Sequence, residues 1–220
     1  MQLLVSVADA MDAAAAVTGG ADIIDAKDPS RGALGPVSPF ALSAIVAAVA
    51  GRRPVSAALG DGADAPVGAL TGISFVKTTT PVRIARCALV LAAYADERDW
   101  QSTIRVAAEN GATGVLLDTS DKSGPGLFGI LDDDVIARWV DTAHAAGLMV
   151  ALAGRLTADD LPRAAALGAD IAGVRGAACE GGRSGRVSVE RVRTLAAVIA
   201  QRTPAGAAAV LEPMRNFGGM

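Results

Sequence analysis

Residues 13–25, AAAAVTGGADIID, decide how this chain folds. An alanine-rich helical run ends in glycine, and a short apolar strand begins within a few residues. The same phrase returns at 107–118 (AAENGATGVLLD), 143–154 (AHAAGLMVALAG) and 163–174 (RAAALGADIAGV). Glycine closes each helix because it alone enters the left-handed conformation beyond a helix end at little steric cost. The apolar runs that follow are too short for helices and nearly unbroken, as expected of strands covered on both faces. Helices alternating with such strands imply βαβ units and a parallel sheet.

Working outward from these phrases, strands are expected at 2–7, 22–27, 54–59, 72–77, 88–93, 113–118, 148–153 and 169–174. Helices fit near 9–18, 39–50, 98–110, 134–146, 157–167 and 187–201, with Asp12, Ser38, Asp132 and Thr157 as N-caps or first-turn residues. Eight strands in a chain of 220 residues predict a (β/α)8 TIM barrel spanning 1–220 as a single domain. The helices around strands three to five are shortened, because GDGADAPVGALTG and TTTPVRIAR are too brief for full helices. Single helical turns are expected there; the alternative is one helix over 82–96 and a gap in the barrel. The tail after Arg202 is expected to be irregular.

Composition removes several function classes. The chain is 51% hydrophobic but only 3% aromatic, so its core is built from Ala, Val, Leu and Ile. A net charge of -3, no basic tract and seven aromatic residues argue against a nucleic-acid surface. No apolar run approaches the roughly 18 residues of a membrane span. The opening MQLLVSVADAMD lacks the basic flank of a secretory leader. Cys87 and Cys179 form no ligand cluster, which suggests a reduced, cytoplasmic chain.

The 20 basic residues are 17 arginines and only three lysines: Lys27, Lys77 and Lys122. Arginine serves as well for surface charge, but a guanidinium cannot shed a proton near neutral pH whereas a buried amine can. Barrel chemistry sits at the C-terminal strand ends, where the predicted tips carry Asp25 and Lys27, Asp61, Lys77, Asp96, Asp118, and then Asp121 and Lys122. Taken alone, DIIDAKDP reads as readily as a surface ion pair. A solvated face would, however, place lysines on helices too, and here all three share one rim. A crowded or desolvated amine has its pKa lowered and becomes a nucleophile able to form a Schiff base with a carbonyl substrate. Neighbouring aspartates move protons. With no metal-ligand cluster, no cofactor motif and the single His144 placed in a helix, the residues predict a metal-free aldolase-type site.

The loop after strand eight, GVRGAACEGGRSGRVS, is rich in Gly and Arg, and phosphate sites in barrels commonly follow strands seven and eight. Gly154 and Arg155 after strand seven, with Arg175 and Gly176 after strand eight, are therefore the expected phosphate-binding residues. A flexible surface loop is the competing account. Residues 124–129, GPGLFG, match GxGxxG literally, but a proline inside and acids just beyond make a dinucleotide site a poor fit.

Taken together, GGADIIDAKDPSRGALG, ISFVK, LAAYAD, GVLLDTSDKSGPGLFG and LGADIAGVRGAACEGGR resemble the (5-formylfuran-3-yl)methyl phosphate synthases of methanofuran biosynthesis. The resemblance implies a barrel enzyme that condenses two molecules of glyceraldehyde 3-phosphate, losing phosphate and water, without a cofactor. It also implies a Schiff-base lysine at Lys27, further lysines at Lys77 and Lys122, an acid–base aspartate at Asp118 and a cytoplasmic role in one-carbon metabolism. Short segments around strands three to five, and Arg155 where a small polar residue is usual, depart from the family pattern. A homo-oligomer is compatible with this picture, as are no nucleic-acid and no membrane partner. Two rivals stay open: another phosphate-binding barrel, thiamine-phosphate-synthase-like or deoxyribose-phosphate-aldolase-like, and a non-catalytic binding barrel.

Overall fold

The structure, a computed structural model, describes residues 1–61, 70–84 and 87–201. Eight strands run in chain order: β1 Gln2–Val7, β2 Ile23–Ala26, β3 Val55–Ala58, β4 Phe75–Thr78, β5 Ala88–Tyr94, β6 Gly114–Asp118, β7 Met149–Leu152 and β8 Ile171–Val174. Each pairs in parallel with the next, and β8 returns to β1, so the sheet closes into a barrel. Around it lie α1 Ala10–Gly19, α2 Pro39–Val49, α3 Thr103–Glu109, α4 Leu127–Ile130, α5 Asp133–Ala145, α6 Leu161–Ala166 and α7 Val189–Ala200. The repeated phrase folds as its sequence predicts. Gly20, at φ +96°, ends α1 and sends its N–H back to the carbonyls of Ala16 and Val17. Gly111, Gly147 and Gly168 take positive φ at the other three copies.

Strand alternation divides the apolar side chains into two layers. Leu3, Val5, Ile24, Val76, Val115 and Val150 face outward under the helices, within one continuous core. Leu4, Ile23, Phe75, Val90, Leu116 and Ile171 fill the barrel interior. Two residues further along five of those strands, the inward position turns polar or small: Ser6, Asp25, Lys77, Asp118 and Gly173. Two more reach Lys27 after β2 and Arg175 after β8. The barrel thus has an apolar floor and a charged upper layer. Phe75, 1% exposed, is the largest floor side chain; truncating so buried a ring costs about 3–5 kcal/mol.

Two expectations need correction. No helical turn forms at 79–84; Thr78 to Thr80 are β-branched and the residue before Pro81 is pushed away from helical backbone. Residues 62–69, 85, 86 and the tail from 202 lie outside the described residues. Asp9 caps α1, accepting from the N–H groups of Met11 and Asp12, and Asp12 lies in its first turn as expected. Thr157 does not cap α6; its N–H and hydroxyl both donate to Asp160, at the helix entrance. Ser38 does cap α2, accepting from Ala41 N–H. His144 is in the last turn of α5, where its Nε2 lies 2.9 Å from Asp170.

Candidate active site

Two lysine–aspartate pairs frame the upper layer. Lys77 on β4 places Nζ 2.7 Å from Asp25 Oδ2 on β2, both side chains being buried. Asp25 also accepts the hydroxyls of Ser6 on β1 and Ser56 on β3, each at 2.8 Å. Burial alone would raise the Asp25 pKa, but the Lys77 and Lys27 cations outweigh it and hold the carboxyl below its ordinary value. One carboxylate thereby ties four strands together. Sequence reasoning grouped Asp25 with the catalytic residues. With both oxygens engaged and no exposure, it sits behind Lys77 instead, outside the cavity lining, and positions that amine. The two serines were missed, although a hydroxyl inside a buried apolar strand is a legible signal of an internal partner.

The second pair lies across the barrel. Lys122 Nζ donates to Asp118 Oδ1 at 2.6 Å and to the Thr119 carbonyl and hydroxyl. Thr119 N–H donates to the same Oδ1. Both contacts fall on one oxygen, so Asp118 Oδ2 takes no hydrogen bond among the described residues. Burial pushes the Asp118 pKa up, but Lys122 and Lys27 pull it further down, leaving a carboxylate below its usual range. Asp118 is 2% exposed and lines the cavity.

Lys27 stands apart from both pairs. It is 6% exposed, lines the same cavity, and its amine makes no hydrogen bond or ion pair among the described residues. Burial is the largest influence and lowers its pKa; Asp118 and Asp25 pull up while Lys77 and Lys122 push down. The result is a pKa lowered from 10.5 to about 8. Asp28, the last acid of DIIDAKDP, turns its carboxylate to the N–H and hydroxyl of Ser30.

The loops that deliver these groups are braced. Asp96, past β5, accepts from the N–H and hydroxyl of Ser120 and from Asp121 N–H, fixing the loop that carries Lys122. Asp121 turns within that loop to Ser123, and Asp61 accepts the Tyr94 hydroxyl. Gly154, at φ +93°, lies against the same loop; a Cβ there would come within 2.9 Å of Thr119 Cγ2. Arg155 has φ +59°, a conformation that costs an L side chain about 1 kcal/mol or more. Its Nη1 donates to the Gly124 carbonyl, joining the loops after β6 and β7.

After β8 the chain forms two 3-10 turns, Gly176–Ala178 and Gly182–Ser184, around a small hairpin of β9 (Cys179–Glu180) and β10 (Arg186–Val187). Arg175 was expected to grip phosphate. It is buried, however, and its guanidinium is spent on the Ser6, Arg183 and Gly185 carbonyls and on Asp12, 3.0 Å away. Those bonds hold the loop, although Arg175 also borders the cavity. Asp12 was read as no more than a helix residue, yet it receives Arg175, Arg186 and Val187 N–H. Arg183, which was not singled out, reaches the cavity with Gly154, Arg155 and Gly176.

The cavity has a volume of about 400 Å³, with Leu4, Phe75, Val90 and Ile171 below and the lysines above. That volume suits a small polar metabolite. Among the described residues, no three His, Cys, Asp or Glu side chains group as a metal ion would need, and no helix is long and apolar enough to cross a membrane. An apolar floor, one unpaired amine and one half-engaged carboxylate form an arrangement able to hold a carbonyl compound and move its protons.

The family model described as 4-HFC-P synthase matches residues 3–82 and 71–196. The (5-formylfuran-3-yl)methyl phosphate synthase of Methanopyrus kandleri is 38% identical, over 90% of this chain and 99% of that protein. A putative (5-formylfuran-3-yl)methyl phosphate synthase of Methylorubrum extorquens is 36% identical over 91% and 92%. Among solved structures, phosphoribosyl anthranilate isomerase from Thermus thermophilus superposes with a TM-score of 0.66 at 19% identity, covering 92% of this chain and all of that one; it shares the fold.

Proposed function

The chain belongs to the 4-HFC-P synthase family, and we propose that it condenses two molecules of glyceraldehyde 3-phosphate to (5-formylfuran-3-yl)methyl phosphate through an imine on Lys27. The supporting observation is the unpaired, buried Lys27 amine, with a pKa of about 8, between two lysines that each own a carboxylate. At pH 7 about a tenth of such an amine is unprotonated, against well under a thousandth of an ordinary lysine.

The Lys27 lone pair adds to the aldehyde carbon of one triose phosphate, and the carbinolamine loses water to give the iminium. Asp118 Oδ2 takes the proton from the adjacent carbon, and the electron pair moves into an enamine. That pair then expels the phosphate from the next carbon, with Lys122 neutralising the departing oxygen. The three-carbon unit on Lys27 bonds to the second triose phosphate; dehydration, ring closure and hydrolysis free the furan aldehyde and the amine. One phosphate and two water molecules leave in all, so atoms balance and no oxidant is needed. Lys77, held by Asp25, supplies a fixed positive charge that adds to burial in lowering the Lys27 pKa and faces the developing anions. Gly154, Arg155 and Gly176 face the phosphorylated ends. On this reading the chain acts as one barrel domain in the cytoplasm, in methanofuran biosynthesis.

The test is borohydride reduction during turnover followed by peptide mass analysis, with the furan aldehyde product identified in parallel. The reduced triose adduct is expected on Lys27. Lys27→Arg keeps the charge but cannot form an imine, so it is expected to be as inactive as Lys27→Ala. Turnover by Lys27→Arg, or an adduct on Lys77 or Lys122 alone, overturns the assignment.

A further inference from the structure

The loop after β8 is a built element. Arg175 Nε and Nη2 each donate, at 3.0 Å, to the carbonyls of Arg183 and Gly185. Gly185 packs so closely that a Cβ would meet the Glu180 carbonyl oxygen at 1.6 Å. Arg186 closes the far side on Asp9 and Asp12. The backbone of Arg183 is therefore fixed where the residue lines the cavity.

There the Arg183 guanidinium is only partly satisfied. Nη2 donates to the Gly32 carbonyl at 2.8 Å and, weakly, to that of Pro29 at 3.4 Å. Nε and Nη1 take no partner among the described residues. No carboxylate lies within ion-pair distance of it among those residues, although the charge of Asp118 reaches it. A half-buried guanidinium remains charged, and its idle N–H groups form a fork that matches phosphate oxygens. The bond to Gly32 matters as well. It ties the β8 loop to the loop that follows Lys27, so one side chain spans both segments beside the reactive amine.

We propose that Arg183 grips the phosphate group of the triose phosphate bound at Lys27 and selects phosphorylated aldehydes over unphosphorylated ones. This rests on the imine chemistry proposed above. Arg175 is the positioning residue behind it, held in turn by Asp12.

The test compares glyceraldehyde 3-phosphate with glyceraldehyde in borohydride trapping, using the full chain and Arg183→Gln. Glutamine keeps an amide N–H for the Gly32 carbonyl but loses the charge and the fork. Charge-assisted hydrogen bonds lost to a buried anion correspond to roughly 10- to 100-fold. The expected result is that Arg183→Gln needs 10- to 100-fold more glyceraldehyde 3-phosphate for half-maximal trapping, while trapping of glyceraldehyde is unchanged. Equal losses for both aldehydes make Arg183 a loop brace and overturn the proposal, as does an unchanged response to the phosphorylated one. If the unaltered protein traps neither aldehyde, the imine reading fails on its own. Binding of inorganic phosphate, measured by calorimetry, then decides: affinity reduced at least 10-fold by Arg183→Gln supports the grip, and equal or absent binding in both proteins refutes it.

Discussion

Replacing Lys27 with methionine should make the protein more stable, by an amount that depends on pH. Burial sets the Lys27 pKa at about 8, against 10.5 for the unfolded chain. Each pKa unit is worth about 1.4 kcal/mol, so holding a charged Lys27 in the native state costs on the order of 3 kcal/mol. The sign follows from proton counts. Below pH 8 both states carry the proton and the whole cost is present. Between 8 and 10.5 the native state has lost it while the unfolded chain keeps it, so stability rises with pH. Above 10.5 both are neutral and the cost is gone. Methionine has similar length and no charge, so Lys27→Met should gain about 3 kcal/mol at pH 7 and roughly half of that at pH 9.5. Urea unfolding of both proteins at the two pH values measures the double difference, in which any pH-independent packing change cancels. A difference between the two proteins that is the same at both pH values refutes the depressed pKa and with it the main support for Lys27 as nucleophile.

Asp25→Asn should destabilise the fold by about 3–5 kcal/mol, because it leaves the buried Lys77 cation without its counter-charge; urea unfolding at neutral pH reads the loss, and a change below 1 kcal/mol contradicts the pairing. Asp118→Asn should separate two steps: the Lys27 imine is still trapped by borohydride, while product formation falls roughly 10²- to 10⁴-fold for want of the proton acceptor. Loss of trapping itself would show that Asp118 serves imine formation instead. Gly154→Ala combines a φ of +93° with a Cβ 2.9 Å from Thr119, so it should lower Tm and cut kcat by displacing the loop that carries Lys122. Wild-type kcat in this variant would mean that the loop tolerates the shift.

The helix–glycine–strand phrases made the barrel legible because each link in them is local: an alanine-rich helix, a left-handed closing glycine, an apolar strand. The lysines were legible for a different reason, since parallel barrels bring every strand end to one face regardless of distance in the chain. What sequence could not supply was the pairing within that face. Arg175 looked like the phosphate residue because it stands at a strand tip before a glycine. Its acceptors are Asp12, 163 residues away in sequence, and three carbonyls, and carbonyl acceptors leave no trace in residue type. Arg183 was lost inside the run GGRSGR, which reads equally well as a flexible linker. The absence of a turn at 79–84 was signalled by Thr-Thr-Thr-Pro but outweighed by the expectation that every barrel strand is followed by a helix.

Why Lys27 is the lysine proposed as nucleophile follows from counting charges in the upper layer. Asp25 and Asp118 are buried anions, each within hydrogen-bond distance of a single lysine. With Lys77 and Lys122 protonated, those four groups sum to zero. A third cation would have no partner in a volume where the desolvation cost of an uncompensated charge is several kcal/mol, so the amine that lacks a carboxylate is the one whose pKa falls, to about 8. Lys27 lacks one because Ser6, Ser56 and Lys77 saturate both Asp25 oxygens, and because Lys122 and Thr119 N–H converge on Asp118 Oδ1. The same convergence leaves Asp118 Oδ2 without a hydrogen bond among the described residues. On the proposed mechanism, nucleophile and base are both set by one pattern of hydrogen bonds. Removing either aspartate alters the reactivity of Lys27 through charge balance, without any need to touch the substrate.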